Sequence, residues 1–283
     1  MAGRLVICPT PIGNLGDMTL RTLEELRAAD AVCAEDTRVT GKLLAHFGIE
    51  KRLERLDEAA ITHQAGRVAE RVAAGETVAF CSDAGMPGVS DPGARLIEAV
   101  RAAGGSVDVL PGASAAVTAY VASGFNNPRF FFGGFFPRKD AERRETLRAL
   151  SSLDAVLMFY ESPRRVVAAL SVVADELPRR EVAVCRELTK VHEEVARGPV
   201  AEVRDEFARR EEEGGVKGEI VLVVGPPTQA EEEGRRADAA ASAAERAAEL
   251  VRAGELTRKE IVKVLREEFG IARNEAYDLA MRA

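Results

Sequence analysis

Short apolar runs separated by helical periodicities organise the first part of this chain. Leu5-Val-Ile-Cys8, Ala31-Val-Cys33, Val78-Ala-Phe-Cys81 and Val107-Asp-Val-Leu110 are short and bounded by polar or turn residues, so each is read as a strand. Between them apolar positions return every three or four residues. Leu20, Leu23 and Leu26 follow Asp17, and Leu96, Ile97 and Val100 precede Gly104-Gly105, which stops that helix. Pro111-Gly112 opens another helix through Val117 and Val121. This alternation predicts an α/β fold with a largely parallel sheet covered by helices on both faces.

Beyond residue 120 the texture changes. Phe130-Phe-Phe132 and Val156-Leu-Met-Phe-Tyr160 read as buried strands. Ser162-Pro163 caps a helix with Val166, Leu170, Val173 and Leu177 on one side, and Val182-Ala-Val184 and Ile220-Val-Leu-Val-Val224 complete a second strand-rich unit. The pattern divides the chain into an N-terminal α/β domain (1–120), a second α/β domain (121–226), a Pro-led acidic linker (227–241) and a helical tail (242–283). In the tail, Thr257-Arg-Lys-Glu260 is a capping box, Ile261, Leu265 and Phe269 form a stripe, and Gly270 stops the helix. Ile271 to Met281 reads as a further helix. Two helices joined near a glycine resemble a helix-turn-helix, which fits a nucleic-acid reader and a packing or dimerisation element equally well.

Charge and composition narrow the classes. A net charge of -7 argues against non-specific coating of nucleic acid, which rests on phosphate neutralisation. Residues 129–197 nevertheless hold 13 Lys and Arg against 11 Asp and Glu, with Arg138, Lys139, Arg143, Arg144 and Arg148 forming a basic stripe on one helix. That local polarity permits RNA binding. Cys8, Cys33, Cys81 and Cys185 are scattered and read as buried free thiols of a reducing cytosol. Three histidines without ligand spacing predict no metal site. No apolar run approaches the ~18 residues of a membrane span, and Arg4 interrupts the first strand signal, so a cytoplasmic protein is expected.

The stretch Val78–Gly93 carries the most functional information. An apolar run ends in a loop of Gly, Pro, Ser and Asp, with a helix directly behind it. In open α/β sheets ligands bind outside the carboxyl ends of strands. Gly85, Gly88 and Gly93 let a backbone approach a ligand, and Asp83 can accept hydrogen bonds from hydroxyl or amino groups. As a purely structural loop it would have Asp91 as N-cap and Pro92 at the first helical position. Pro9-Thr-Pro-Ile-Gly-Asn-Leu-Gly-Asp17 lies at the same edge and matches neither a dinucleotide nor a phosphate-loop fingerprint. Three charged clusters also follow strands: Glu35-Asp-Thr-Arg38, Glu161-Ser-Pro-Arg-Arg165 and Arg186-Glu-Leu-Thr-Lys190, with Glu193 and Glu194 beyond. Singly each is an ordinary surface ion-pair network, whereas together at strand ends they suit phosphate or ribose contacts.

With Ser82-Asp-Ala-Gly-Met-Pro87, Ser90-Asp-Pro-Gly93, Pro111-Gly-Ala-Ser-Ala115 and Tyr160-Glu-Ser-Pro-Arg164, these loops make seven ordered motifs that resemble the tetrapyrrole-methylase family. They are similar to its bacterial branch that methylates a cytidine ribose 2′-hydroxyl in the decoding region of small-subunit (16S) ribosomal RNA. The resemblance covers residues 4–226, plus a tail of the kind that branch carries. It implies two unequal α/β domains with S-adenosylmethionine (SAM) in the cleft between them, in a homodimer whose partner is the small ribosomal subunit. SAM-contacting positions then fall on Ile12, on Cys81, Ser82, Asp83, Ala84 and Gly85, and on Ser114 and Ala115. Tyr160, Glu161, Gly218 and Glu219 face them from the second domain. Pro9, Pro11, Ile12 and Asn14 replace most of the Gly-rich first loop of the porphyrinoid methylases, which speaks against a tetrapyrrole substrate.

Methyl transfer from a sulfonium is an in-line displacement with a neutral leaving group, so positioning the 2′-oxygen supplies much of the acceleration. A ribose hydroxyl is a poor acid, so a base or an electrostatic aid is expected. Glu161, Glu187 and Asp36 are the candidate bases, with Arg38 and Lys190 as aids, and no metal is required. The alternatives are a porphyrinoid ring or a modified protein side chain as methyl acceptor, or a SAM-sensing, nucleic-acid-binding regulator.

Overall fold

Strands β1 (Arg4–Ile7), β2 (Ala31–Ala34), β3 (Leu53–Arg55), β4 (Thr77–Cys81) and β5 (Ser106–Val109) form one sheet, ordered β3-β2-β4-β1-β5. Every pairing in it is parallel. The structure is a computed structural model describing residues 3–254 and 256–283, apart from the Arg235 side chain. Period-two alternation splits β1 between two cores. Leu5 and Ile7 pack with Phe80, Leu96, Ile61 and Val68, under α3 (Glu58–Ala73) and α4 (Gly93–Ala102). Val6 and Cys8 pack with Leu23, Leu26, Val32 and Leu44 on the opposite side, under α1 (Leu20–Ala28) and α2 (Thr37–His46).

The second sheet joins β6 (Phe130–Phe135), β7 (Val156–Glu161), β8 (Glu181–Arg186), β9 (Glu194–Pro199) and β10 (Ile220–Val224) in the order β6-β7-β10-β8-β9. Only β6 and β7 run parallel. Helices α6 (Asp140–Leu150), α7 (Val166–Glu176) and α8 (Val200–Glu213) cover one face through Leu147, Leu170, Val173 and Phe207. The other face, with Met158, Cys185, Val221 and Val223, receives α5 (Ala115–Ser123) and Ile12 from the first-sheet loop. Helix α5 straddles the boundary drawn at residue 120 and packs on the second sheet.

Several expectations are corrected here. Helix α5 begins at Ala115 rather than at Pro111-Gly112. It buries Ala116, Ala119 and Ser123, while Val117 and Val121 face outward, because small residues let the helix lie close on the sheet. Phe130 and Phe131 are exposed, since β6 is an edge strand. Leu20 is exposed at the first position of α1. Asp91 caps no helix in the expected way: its Oδ1 accepts from both Gly88 N and Gly93 N, and Pro92 is the N-cap of α4. Helix α7 starts at Val166, so Ser162-Pro163 shape the turn before it. Most of the basic stripe is neutralised: Arg144 and Arg148 pair with Asp140, Asp175 and Glu176, Lys139 pairs with Glu142, and Arg143 is buried against Glu161.

Pro226 and Pro227 separate this body from a second unit. That unit comprises α9 (Gln229–Ala253), α10 (Arg258–Phe269) and α11 (Arg273–Arg282). Three helices, not two, share a core of Ala243, Ala247, Ile261, Leu265, Ala276 and Ala280. The acidic stretch read as a linker is helical. Thr228 and Glu231 form a capping box, and Glu231 and Glu232 sit in the first turn, where negative charge favours the helix. No helix among the described residues is long and apolar enough to cross a membrane.

Candidate active site

The carboxyl ends of β1, β2 and β4 and the loop before α5 face the ends of β7 and β10 across a cleft of about 870 Å³. One wall carries Ile12, Glu35, Ser82, Asp83, Ala84, Gly85, Ser114 and Ala115. The other carries Phe135, Arg138, Tyr160, Glu161, Gly218 and Glu219. The first two loops are tied together: Thr10 and Gly85 exchange backbone hydrogen bonds at 3.0 Å each. Gly85 has φ +76°, open to glycine without strain. Gly112 is required by proximity, because a Cβ there would lie 2.4 Å from Pro9 Cβ.

Asp83 is anchored, with Oδ1 accepting from Asp36 N at 2.9 Å. Its own N–H donates to Glu35 Oε2 at 3.3 Å. Burial pushes the Glu35 carboxyl above its ordinary value, against the lowering effect of that N–H. Burial likewise raises the Tyr160 phenol, opposed by the Ala116 backbone N–H at the start of α5.

Glu161 sits at the cleft margin with its side chain almost fully buried. Its Oε1 accepts from Ser162 N at 2.7 Å, and its Oε2 accepts from Arg143 Nη2 and Arg165 Nη2 at 3.1 Å each. Burial raises its pKa, against the lowering by Ser162, Arg165 and Arg143. Both oxygens are engaged, and the two guanidinium groups also hold Phe136 O and Pro137 O. Glu161 therefore anchors the β6–α6 loop to the end of β7, and could take a proton only by breaking that cluster.

The remaining candidates fall in different places. Cys81 is wholly buried in β4, and its hydrogen bond with Cys8, together with burial, raises the Cys8 thiol. Cys185, not Cys81, lines the cleft. Asp36 and Arg38 lie outside the lining. Asp36 caps α2, and hydrogen bonds from Arg38 hold its carboxyl well below the usual range, which makes it a poor base. Glu187 is also outside. Its Oε1 accepts from Lys190 Nζ at 2.8 Å and Glu219 N at 2.9 Å, and these bonds lower its pKa. Lys190 bridges Glu187 and Glu219. It also packs on Gly13, where a Cβ would lie 2.5 Å from its Cγ. Beside that contact the Thr189 Oγ1 is buried without a hydrogen-bond partner among the described residues, in a residue with φ +66°.

Among the lining residues, Phe135 lay in none of the motifs singled out in the sequence. Phe135 had a signal: the Gly133-Gly134 pair before it marks a bulge, and the β6–β7 register does shift between Phe132 and Phe135.

Residues 4–204 match the sequence profile of the Tetrapyrrole (Corrin/Porphyrin) Methylases. The chain belongs to the tetrapyrrole methylase family. Like its relatives, this methylase is SAM-dependent. It is 39% identical over 277 residues to the "Ribosomal RNA small subunit methyltransferase I" of Bacillus subtilis (strain 168), spanning 98% of this chain and 93% of that one. It is 41% identical over 280 residues to the protein of the same name from Escherichia coli O157:H7, spanning 99% and 95%. Among solved structures, diphthine synthase superposes with a TM-score of 0.60 at 18% identity, covering 78% of this methylase and 90% of that chain. A cobalt precorrin-4 methyltransferase superposes at 0.56 and 16% identity, covering 78% and 94%. These two likenesses establish the fold alone.

The cleft suits the methyl donor. It is mostly apolar, with Ile12, Ala84 and Ala115 beside the Asp83 carboxylate, so it offers both a surface for a nucleoside and negative charge for a sulfonium.

Proposed function

We propose that this methylase transfers the SAM methyl group to the ribose 2′-oxygen of a cytidine in 16S ribosomal RNA, acting on the small subunit in the cytoplasm. The observation that carries the reading is the cleft joined to full-length relatives named as small-subunit rRNA methyltransferases. The residues proposed to hold the donor are Ile12, Ser82, Asp83, Ala84, Gly85, Ser114 and Ala115 on one wall. Tyr160, Gly218 and Glu219 face them, and Glu161 fixes that wall. Bound SAM supplies an electrophilic methyl on a positively charged sulfur.

Of the cleft carboxylates, Glu35 is proposed as the group that takes the 2′-hydroxyl proton. Burial raises its basicity, and its Oε1 carries no hydrogen bond from the described residues. Glu161, Glu187 and Asp36 are less suited, because their oxygens are committed to Arg143, Arg165, Lys190 and Arg38. A homodimer is consistent with the outward-facing Val117, Val121, Phe130 and Phe131, an apolar surface on α5 and β6.

Labelled SAM incubated with small ribosomal subunits, followed by mass mapping of the RNA, tests the reading. A single 2′-O-methylcytidine should appear, and its rate should fall as salt rises, because phosphate contacts release counterions. Methylation of a porphyrinoid with no label in RNA would overturn it.

A further inference from the structure

We infer that Phe135 and Arg138 form the seat for the target nucleotide, Phe135 stacking on its unstacked base and Arg138 contacting an adjacent phosphate. This deepens the RNA reading above and rests on it. A ribose inside folded RNA reaches a cleft only when its nucleotide is splayed out, and splayed bases are held by aromatic faces and guanidinium groups.

Phe135 is 67% exposed, the most of any phenylalanine on the exposed-hydrophobic surface, and it lines the cleft, whereas Phe130 and Phe131 do not. It owes that position to the β6 bulge. At Gly133 a Cβ would lie 2.4 Å from Phe159 Cε1, so only glycine fits. Gly134 then turns the strand with φ +68°. Bulges of this kind re-aim a side chain at a strand end. Tyr160 supports the ring from behind, with centroids 5.5 Å apart and planes at 71°. Ser90, itself at φ +66°, brings the opposite loop to Gly134, so the seat lies where both walls meet.

Arg138 supplies the charge. Its neighbours are consumed: Lys139 pairs with Glu142, Arg143 and Arg165 with Glu161, and Lys190 with Glu187 and Glu219. Arg138 makes no ion pair among the described residues, yet it lines the cleft three positions from Phe135. An uncommitted guanidinium beside an exposed ring offers the phosphate and the base contact together.

The test compares wild type with Phe135→Ala, Phe135→Tyr, Arg138→Ala and Arg138→Lys, using small subunits and labelled SAM, and measures SAM affinity by calorimetry. Because Phe135 is exposed, its removal should leave the melting temperature unchanged. For Phe135→Ala, kcat/KM for the subunit should fall roughly tenfold or more, as loss of a base stack predicts, with SAM affinity unchanged and Phe135→Tyr restoring the rate. Arg138→Ala should raise KM and flatten the salt dependence by about one counterion, while Arg138→Lys keeps the slope. Unaltered subunit methylation in Phe135→Ala would overturn the proposal and leave the RNA reading standing. Weakened SAM binding would overturn it differently, by assigning Phe135 to the donor. A wild-type enzyme that binds SAM but labels no RNA would remove both.

Discussion

At the scale of single residues, the cleft is arranged by which carboxylates are already spoken for. The charged pairs most visible in the sequence, Asp36 with Arg38 and Glu187 with Lys190, satisfy each other outside the cleft. Glu35, their neighbour in the chain, keeps an open oxygen inside it. Sequence could display all these carboxylates but could not rank them, because rank depends on partners brought from elsewhere: Asp83 N for Glu35, and Glu219 N for Glu187. Replacing Glu35 with Gln should lower kcat by roughly a hundredfold or more while SAM affinity holds, the range expected for a lost general base. The pH profile gives an independent check. The base must be unprotonated, so wild-type activity should fall as pH drops through the raised Glu35 pKa, and that acid limb should vanish in Glu35→Gln. A full acid limb in the variant would move the base to another group.

At the scale of elements, close approach explains what hydrophobic periodicity missed. Helix α5 buries alanines and exposes valines because it must lie near the second sheet, and its first turn faces Tyr160. Strands β3 and β9 carried no apolar signal, since they are sheet edges with Glu54, Arg55, Glu194 and Arg197 along them. The Pro9 and Gly112 loops touch so closely that a methyl group cannot fit between them. Gly112→Ala should therefore cost about 1–3 kcal/mol, the usual range for overpacking, and weaken SAM binding by shifting the Ser114-Ala115 loop. Thermal unfolding with calorimetry on the same sample checks both. Gly66→Ala in α3 is the contrasting control, because nothing lies within 4 Å of the added Cβ and the change should cost no stability.

At the scale of the whole molecule, two units with separate cores share one chain. A chain ending at Pro226 retains all of both sheets and the cleft, so it should keep SAM affinity. The tail carries Arg252, Arg258, Lys259, Arg266 and Arg273 without ion pairs among the described residues, while Lys263 lies near Glu267. Truncation should thus weaken affinity for the small subunit, measured by filter binding. Undiminished subunit binding would assign the tail to packing or assembly instead. The residues by themselves determined the α/β alternation, the position of the Asp83 and Ser114 loops at strand ends, and the family, because turn chemistry and strand runs are local and ordered motifs survive in one dimension. Tertiary structure alone decided that β6 is an edge and that its bulge aims Phe135 into the cleft, that Arg143 and Arg165 consume Glu161, and that Cys185 rather than Cys81 reaches the cleft. Those outcomes depend on which distant groups meet in space and how much water they exclude, and neither is written in neighbouring residues.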